Sequence, residues 1–288
     1  MQYLSPTTIE EAVRYLAAQT GDCRILAGGT DLLVQLRSGL AEPESIVDIK
    51  RIDDLHQISR EDGGWRIGAA VSGAEMGEHA ALAADWPGVV EAVNLIGSTQ
   101  IQGRATLAGN LCNASPSADS VPAMVAAGAV ARVVGPDGTR DVPVIDIPTG
   151  PGQNALARDE FIASIFLPAR PERAADAYLR FIPRTEMDIA VVGCGVFLKL
   201  GEDGTCADAR VALGAVAPTV LLVEDAARAL IGTSLDDAAL DAFAAACSAA
   251  AKPISDKRGT AEFRVHVTGV LARRAALIAK NRAGGAAQ

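Results

Sequence analysis

The stretch Ile25–Gly39, ILAGGTDLLVQLRSG, decides how the rest of the chain is read. A short apolar segment enters a Gly28–Gly29 pair, then Thr30–Asp31, then a second apolar segment that ends at Gly39. The order predicts a buried strand over "RILAG", a tight turn, and a short helix from Asp31 to Arg37. Glycine reaches backbone conformations closed to other residues and leaves out side chains where another group must approach closely. Successive backbone N–H groups that end at a helix N-terminus suit a pyrophosphate, and Thr30 adds a hydroxyl donor. An ordinary strand-to-helix turn uses the same residues, so both readings stay open here.

Outward from this stretch, Thr7-Thr8-Ile9-Glu10 fits a capping box and predicts a helix from about Thr8 to Ala18. "SIVDIK" and "WRIGAA" are strand candidates, Ser72-Gly73-Ala74-Glu75 opens another helix by the same capping logic, and Pro87-Gly88 starts the next. From Gly97 to Ser120 the pattern breaks into a long irregular segment. Beyond it "VPAMVAAGA" reads as a buried helix, "ARVVGPDGTRDVPV" as a hairpin turned by Pro-Asp-Gly, and "DEFIASIFLP" as a strand. "ARPERAADA" looks like a polar crossing point. It leads to strands in "YLRFI", "AVVGCGVFLKL" and "ADARVALGAV", then to helical runs at about 222–231, 236–251 and 258–282. Strands followed by helices suggest a separate α+β unit, with a boundary near Pro171 between residues 1–170 and 171–288.

A second glycine-bearing segment matters as much as the first. Thr99–Asp119, TQIQGRATLAGNLCNASPSAD, is dense in hydroxyls and amides yet sits between apolar elements. Irregular segments of this length usually line a site. Gly109 and Asn110 would let backbone approach a ligand, while Ser115, Ser117 and Asp119 offer polar contacts. A mobile solvated loop is the plainer reading, and Ile101, Leu107 and Leu111 argue against it. Two such segments could grip the central diphosphate of a dinucleotide from either side.

Composition excludes several classes. The chain has 288 residues, 49% of them hydrophobic, and a formal net charge of −9. That charge disfavours nucleic acid and anionic membrane surfaces, whereas backbone amides still accept a small anion. Five scattered cysteines without a C-x-x-C pair suggest free thiols in a reducing compartment rather than a disulfide framework or a zinc or iron–sulfur site. The N-terminus lacks a basic and apolar leader, and no apolar run approaches the roughly 20 residues of a membrane span, so the expectation is a cytoplasmic protein. There is no G-x-G-x-x-G, no Gly-Lys of a P-loop, no H-E-x-x-H and no G-x-S-x-G. His56, His79 and His266 are far apart and read as structural or solvated.

Together, "ILAGGTDLLVQLRSG" and "IGSTQIQGRATLAGNLCNASPSAD", in that order, resemble the FAD-binding subunit of molybdenum hydroxylases, the family of the carbon monoxide dehydrogenase medium subunit and the xanthine dehydrogenase flavin domain. "RFIPRTEMDIAVVGCGVFLKL" and "SDKRGTAEFRVHVTGVLARRA" extend the resemblance to that family's C-terminal domain. It implies an α+β fold: a two-lobed FAD-binding domain of the vanillyl-alcohol-oxidase type, then a small α+β domain. It also implies that Ile25, Leu26, Ala27, Gly28, Gly29, Thr30, Asp31 and Leu32 wrap the diphosphate. Thr106, Leu107, Ala108, Gly109 and Asn110 would close on it, and Asp119 would reach the ribose or adenine end. Ile96, Ile162 and Arg180 fall where flavin contacts lie in relatives, and Leu111 would pack beside the isoalloxazine. One departure is that the family's Thr-x-Gly-Gly-Asn here has Ala108 in place of the first glycine, so either that position takes ordinary dihedrals or the loop sits further from the phosphates.

The resemblance further implies FAD as the only redox centre of this chain, since the cysteines and length of the branch with an extra cluster are missing. A molybdenum-pterin large subunit and a small subunit with two [2Fe–2S] clusters would be its partners, in a dimer of heterotrimers. Electrons would pass through FAD to NAD+, a quinone or oxygen. Two other readings remain at this point: a freestanding FAD-dependent oxidase, and a nucleotide-binding assembly module without redox activity.

Overall fold

A computed structural model describes residues 1–184 and 187–285. Thr185 and Glu186, which fall in one of the quoted C-terminal stretches, and the last three residues of the expected C-terminal unit lie outside the described residues.

The first lobe is a parallel three-stranded sheet of β1 (Gln2–Leu4), β2 (Cys23–Leu26) and β3 (Ser45–Asp48), in the order β1-β3-β2. Helix α1 (Ile9–Ala17) starts one residue later than the Thr7–Glu10 box implies: Thr8 is the N-cap, its hydroxyl accepting from Glu11 N–H at 3.1 Å. Helix α2 (Leu32–Arg37) leaves the carboxyl end of β2, which is an edge strand.

The second lobe holds five antiparallel strands: β4 (Ile58–Glu61), β5 (Gly64–Gly68), β6 (Val130–Gly135) and β7 (Gly138–Pro143), and, past a small separate hairpin of β8 (Pro148–Gly150) and β9 (Gln153–Asn154), β10 (Phe161–Leu167). Their order is β4-β5-β10-β6-β7. Helices α3 (Gly73–Glu78), α4 (Ala80–Asp85) and α5 (Pro87–Val93) follow β5, and Ser72 and Glu75 cap α3 reciprocally. The Gly97–Ser120 segment is not irregular throughout: it contains α6 (Thr99–Gln102) and α7 (Leu107–Cys112) before α8 (Ser120–Ala127). Short helices with N-caps at Ser98 and Thr106 give too few turns for an apolar periodicity to show.

The C-terminal sheet runs β11 (Ala174–Phe181), β12 (Val192–Leu200), β13 (Cys206–Gly214) and β14 (Leu221–Leu222) in that order, backed by α9 (Glu224–Leu230), α10 (Asp237–Ala250) and α11 (Ala261–Ala283). Strand β11 takes in Ala174–Ala177, which the polar-looking "ARPERAADA" had suggested was a crossing segment. Asp176 is tolerated there because its carboxylate accepts from Val89 N–H at 2.9 Å, at the N-terminus of α5.

This sheet is covered on both faces. Val192, Cys194, Val196 and Leu198 pack with α9–α11, while Phe197 and Ala212 join the core of the preceding lobes. Gly195 makes the second contact close: a Cβ there would stand 2.5 Å from the Pro122 carbonyl oxygen of α8. The N-terminal and C-terminal cores are therefore packed against one another through a shared sheet.

Candidate functional site

Two turns meet at one cleft of about 280 Å³. The first lies between β2 and α2, where Gly29 has φ +79°, a region that L side chains avoid. Leu26 is buried beneath it, its Cδ1 2.9 Å from where a Gly29 Cβ would be. The second turn opens α7. Thr106 is the N-cap, with extended φ −124° and ψ 154°, and its hydroxyl accepts from Gly109 N–H at 3.0 Å.

Gly28 explains how the turns come so close, because a Cβ there would lie 1.8 Å from the Arg104 carbonyl oxygen. Gln35 Nε2 also donates to Asn113 Oδ1 at 3.1 Å, tying α2 to the end of α7. Among the described residues the amides of Gly29, Thr30, Asp31 and Leu32, and those of Leu107 and Ala108, have no hydrogen-bond acceptor within the chain. The first N–H groups of a helix have no intrahelical partner and carry partial positive charge. Two sets of them at one cleft make a donor array suited to a diphosphate.

Ala108 answers the question raised by the family pattern. It occupies the first turn of α7 with ordinary helical backbone and is buried, so the methyl is accommodated without positive φ.

Of the residues expected at the site, Ile25, Ala27, Gly28, Gly29, Thr30, Asp31, Leu32, Ile96, Thr106, Ala108, Gly109, Asn110 and Ile162 line this cleft. Leu26, Leu107 and Leu111 do not; they are buried supports, and Leu111 is fully buried in the core rather than open to a flavin ring.

Asp119 and Arg180 also lie off the cleft lining. Arg180 Nη1 donates to Asp119 Oδ2 at 2.7 Å and Tyr178 donates to Asp119 Oδ1 at 2.9 Å, all three being at or near the junction of α8 and β11. The pair is buried, and desolvation pushes the Asp119 carboxyl up to about 6 despite Arg180 and Tyr178. The link to the cleft is indirect: next to Asp119, Ser120 Oγ donates to Asn110 Oδ1 at 2.6 Å.

The structure adds residues that no motif announced. Cys23, Arg24, Asn154, Leu156 and Arg158 line the same cleft. They come from the edge strand β2, from β9 and from the segment after it, where nothing in composition distinguishes a lining residue from a surface one.

Electrostatics fit an anion held by backbone. Asp31 lines the cleft, and desolvation raises its carboxyl above the usual range, which lessens repulsion of a nearby phosphate. Burial pushes the Cys112 thiol up to about 12, so it is held protonated and is a poor nucleophile. Among the described residues no three His, Cys, Asp or Glu side chains converge as a metal site, and no helix is long and apolar enough to cross a membrane. The donor array and the close approach at Gly28 fit the diphosphate of FAD. When bound, FAD accepts electrons singly and releases them in pairs.

Comparison with known proteins agrees. Residues 1–170 match the FAD binding domain in molybdopterin dehydrogenase, and residues 177–279 the CO dehydrogenase flavoprotein C-terminal domain. The carbon monoxide dehydrogenase medium chain of Afipia carboxidovorans is 36% identical, covering 98% of this chain and 97% of its own. The xanthine dehydrogenase FAD-binding subunit of Escherichia coli O157:H7 is 31% identical, covering 99% and 98%. The structure of reconstituted CO dehydrogenase from Oligotropha carboxidovorans superposes with a TM-score of 0.93 at 36% identity, over 98% of each chain. With two glycine-bearing turns closing on one cleft, and with similarity from end to end, the chain belongs to the family of FAD-binding subunits of molybdopterin dehydrogenases.

Proposed function

We propose that this chain is an electron relay: its FAD takes electrons from [2Fe–2S] clusters on a small partner subunit and passes them to NAD+, a quinone or oxygen. Substrate oxidation would occur at a molybdenum-pterin centre on a large partner subunit, with two heterotrimers pairing in the cytoplasm. The observation that carries this is the convergence of free amides from Gly29–Leu32 and from Ala108 on one cleft.

In this reading the turn at Ile25–Leu32 and the start of α7 at Thr106–Asn110 hold the diphosphate, and Ile96 and Ile162 form apolar walls. Asp119 and Arg180 act from behind, through Ser120 and Asn110. Backbone donors do the binding, so a relay needs no side chain as acid or base. A division into units at residues 170/171 belongs to the same reading. The names of the relatives support the partners, since one is the medium chain of a carbon monoxide dehydrogenase.

Purification of the chain from its native host tests the proposal. The expected result is a yellow protein that co-elutes with one large and one small polypeptide, whose flavin bands bleach when the substrate of the complex is added without air. A chain that elutes alone, or flavin bands unaffected by reduction of the partner clusters, overturns it.

A further inference from the structure

The cleft extends well beyond the two turns. Cys23, Arg24 and Ile25 are consecutive in β2, and all three line it. Neighbouring residues of a strand point to opposite faces, so three in a row are reached only along the strand's free edge. Among the described residues strand β2 pairs with β3 alone. The cleft therefore runs beside β2, from the Gly28–Gly29 turn at its carboxyl end toward Thr20–Gly21 before its amino end. Four residues of strand span roughly 13 Å.

A strap crosses that far end. Its base is held on both sides. Asn154 Nδ2 donates to the Cys112 carbonyl at 2.9 Å, and Glu160 accepts from Ala157 N–H at 2.8 Å and from Arg140 Nε and Nη2 at 2.9 and 2.8 Å. Only its tip reaches across. Arg158 Nη2 donates to the carbonyl oxygens of Thr20 and Gly21 at 2.8 and 2.7 Å, joining segments far apart in sequence.

An electron carrier's ring has to meet groups on other molecules, so the arm shut beneath a tethered strap is the one that does no redox work. We propose that Arg158 is a positioning residue that closes residues 155–160 over the adenosine arm of FAD, so that the site selects FAD over FMN. The proposal rests on the reading of the cleft as the FAD site. The free edge of β2 supplies backbone donors and acceptors for a purine edge, and Leu156, Ile25 and Ile162 supply its apolar walls. FMN lacks the adenosine arm and gains nothing from the strap. ADP has that arm and the diphosphate, and gains as FAD does.

The test uses the full chain freed of flavin, titrated separately with FAD, FMN and ADP. Two charge-assisted hydrogen bonds at an exposed tip are worth about tenfold in affinity. Arg158→Ala is therefore expected to raise Kd for FAD and for ADP by about tenfold while Kd for FMN stays unchanged, with Arg158→Lys in between. Equal weakening of FAD and FMN would place the strap over the flavin ring and overturn the proposal, as would FAD and ADP affinities within about twofold of the parent. Gly29→Val separates the two levels of the argument. If it weakens FAD and ADP while Arg158→Ala does not, the strap alone falls; if it leaves FAD unaffected, the cleft assignment falls and the strap with it.

Discussion

Gly28→Ala is the sharpest perturbation of the cleft, because the structure states what the added methyl meets. Its Cβ would lie 1.8 Å from the Arg104 carbonyl oxygen and 2.6 Å from the carbonyl carbon. An ordinary carbon–oxygen contact is about 3.3 Å, so the two turns must separate by roughly 1.5 Å along that line. Both opposing atoms are backbone, and no rotamer change relieves them. Forced overpacking of this kind costs about 1–3 kcal/mol, and the amides that share the diphosphate lose their common geometry. FAD should bind roughly 10- to 100-fold more weakly. The assay is the ratio of flavin to protein absorbance after dialysis, followed by titration with FAD of the flavin-free chain. Gly39→Ala is the control. Gly39 has φ +70° with nothing within 4 Å of its added Cβ, so alanine there costs about 1 kcal/mol of local strain and leaves FAD affinity alone. A Gly28→Ala protein that keeps full flavin with an unchanged Tm, or a Gly39→Ala protein that loses as much, would refute the reasoning.

Two further outcomes follow from the contact between the N-terminal and C-terminal cores. Asp119→Ala leaves the buried Arg180 cation without its partner, which should destabilise the fold by about 3–5 kcal/mol in denaturant titration. The pair Asp119→Leu with Arg180→Met should recover most of that loss, and a double variant as unstable as the single would contradict the account. Asp176 is pushed up to about 7 by burial, against hydrogen bonds from Gly88 and Val89, with Glu91 and Arg282 facing it. An unfolded aspartate titrates near 3.9, so the folded chain takes up this proton first. The contribution of Asp176 is fully present below about pH 4 and is lost as pH rises through about 7. The Tm advantage of the parent over Asp176→Asn should therefore shrink between pH 5 and 8; a constant difference would show that Asp176 does not titrate in that window.

Local signals were readable wherever a few neighbouring residues settle the outcome. Thr8 and Ser72 cap α1 and α3 through their own hydroxyls, and Pro136-Asp137-Gly138 turns the β6–β7 hairpin. The helices α6 and α7 were hidden because each is only a few residues long, and the hydroxyls that suggested a loop are in part N-cap residues. Strand β11 was under-read because its single aspartate accepts a hydrogen bond from the N-terminus of a helix from the other core, a partner distant in sequence.

At the site the same division holds. The glycine pair and the Thr106–Asn110 motif mark the two backbone turns, since positive φ and N-capping depend on the residues themselves. Whether those turns face one another, with Gly28 against Arg104, is a matter of how the parallel and antiparallel lobes pack. That packing also decides that Asp119 and Arg180 neutralise each other at a buried junction instead of facing the cleft. It likewise carries Arg158 across to Thr20 and Gly21, far along the chain. Conformational preference is local and is written in short words of sequence; mutual burial and charge pairing act between residues brought together only when the chain has folded.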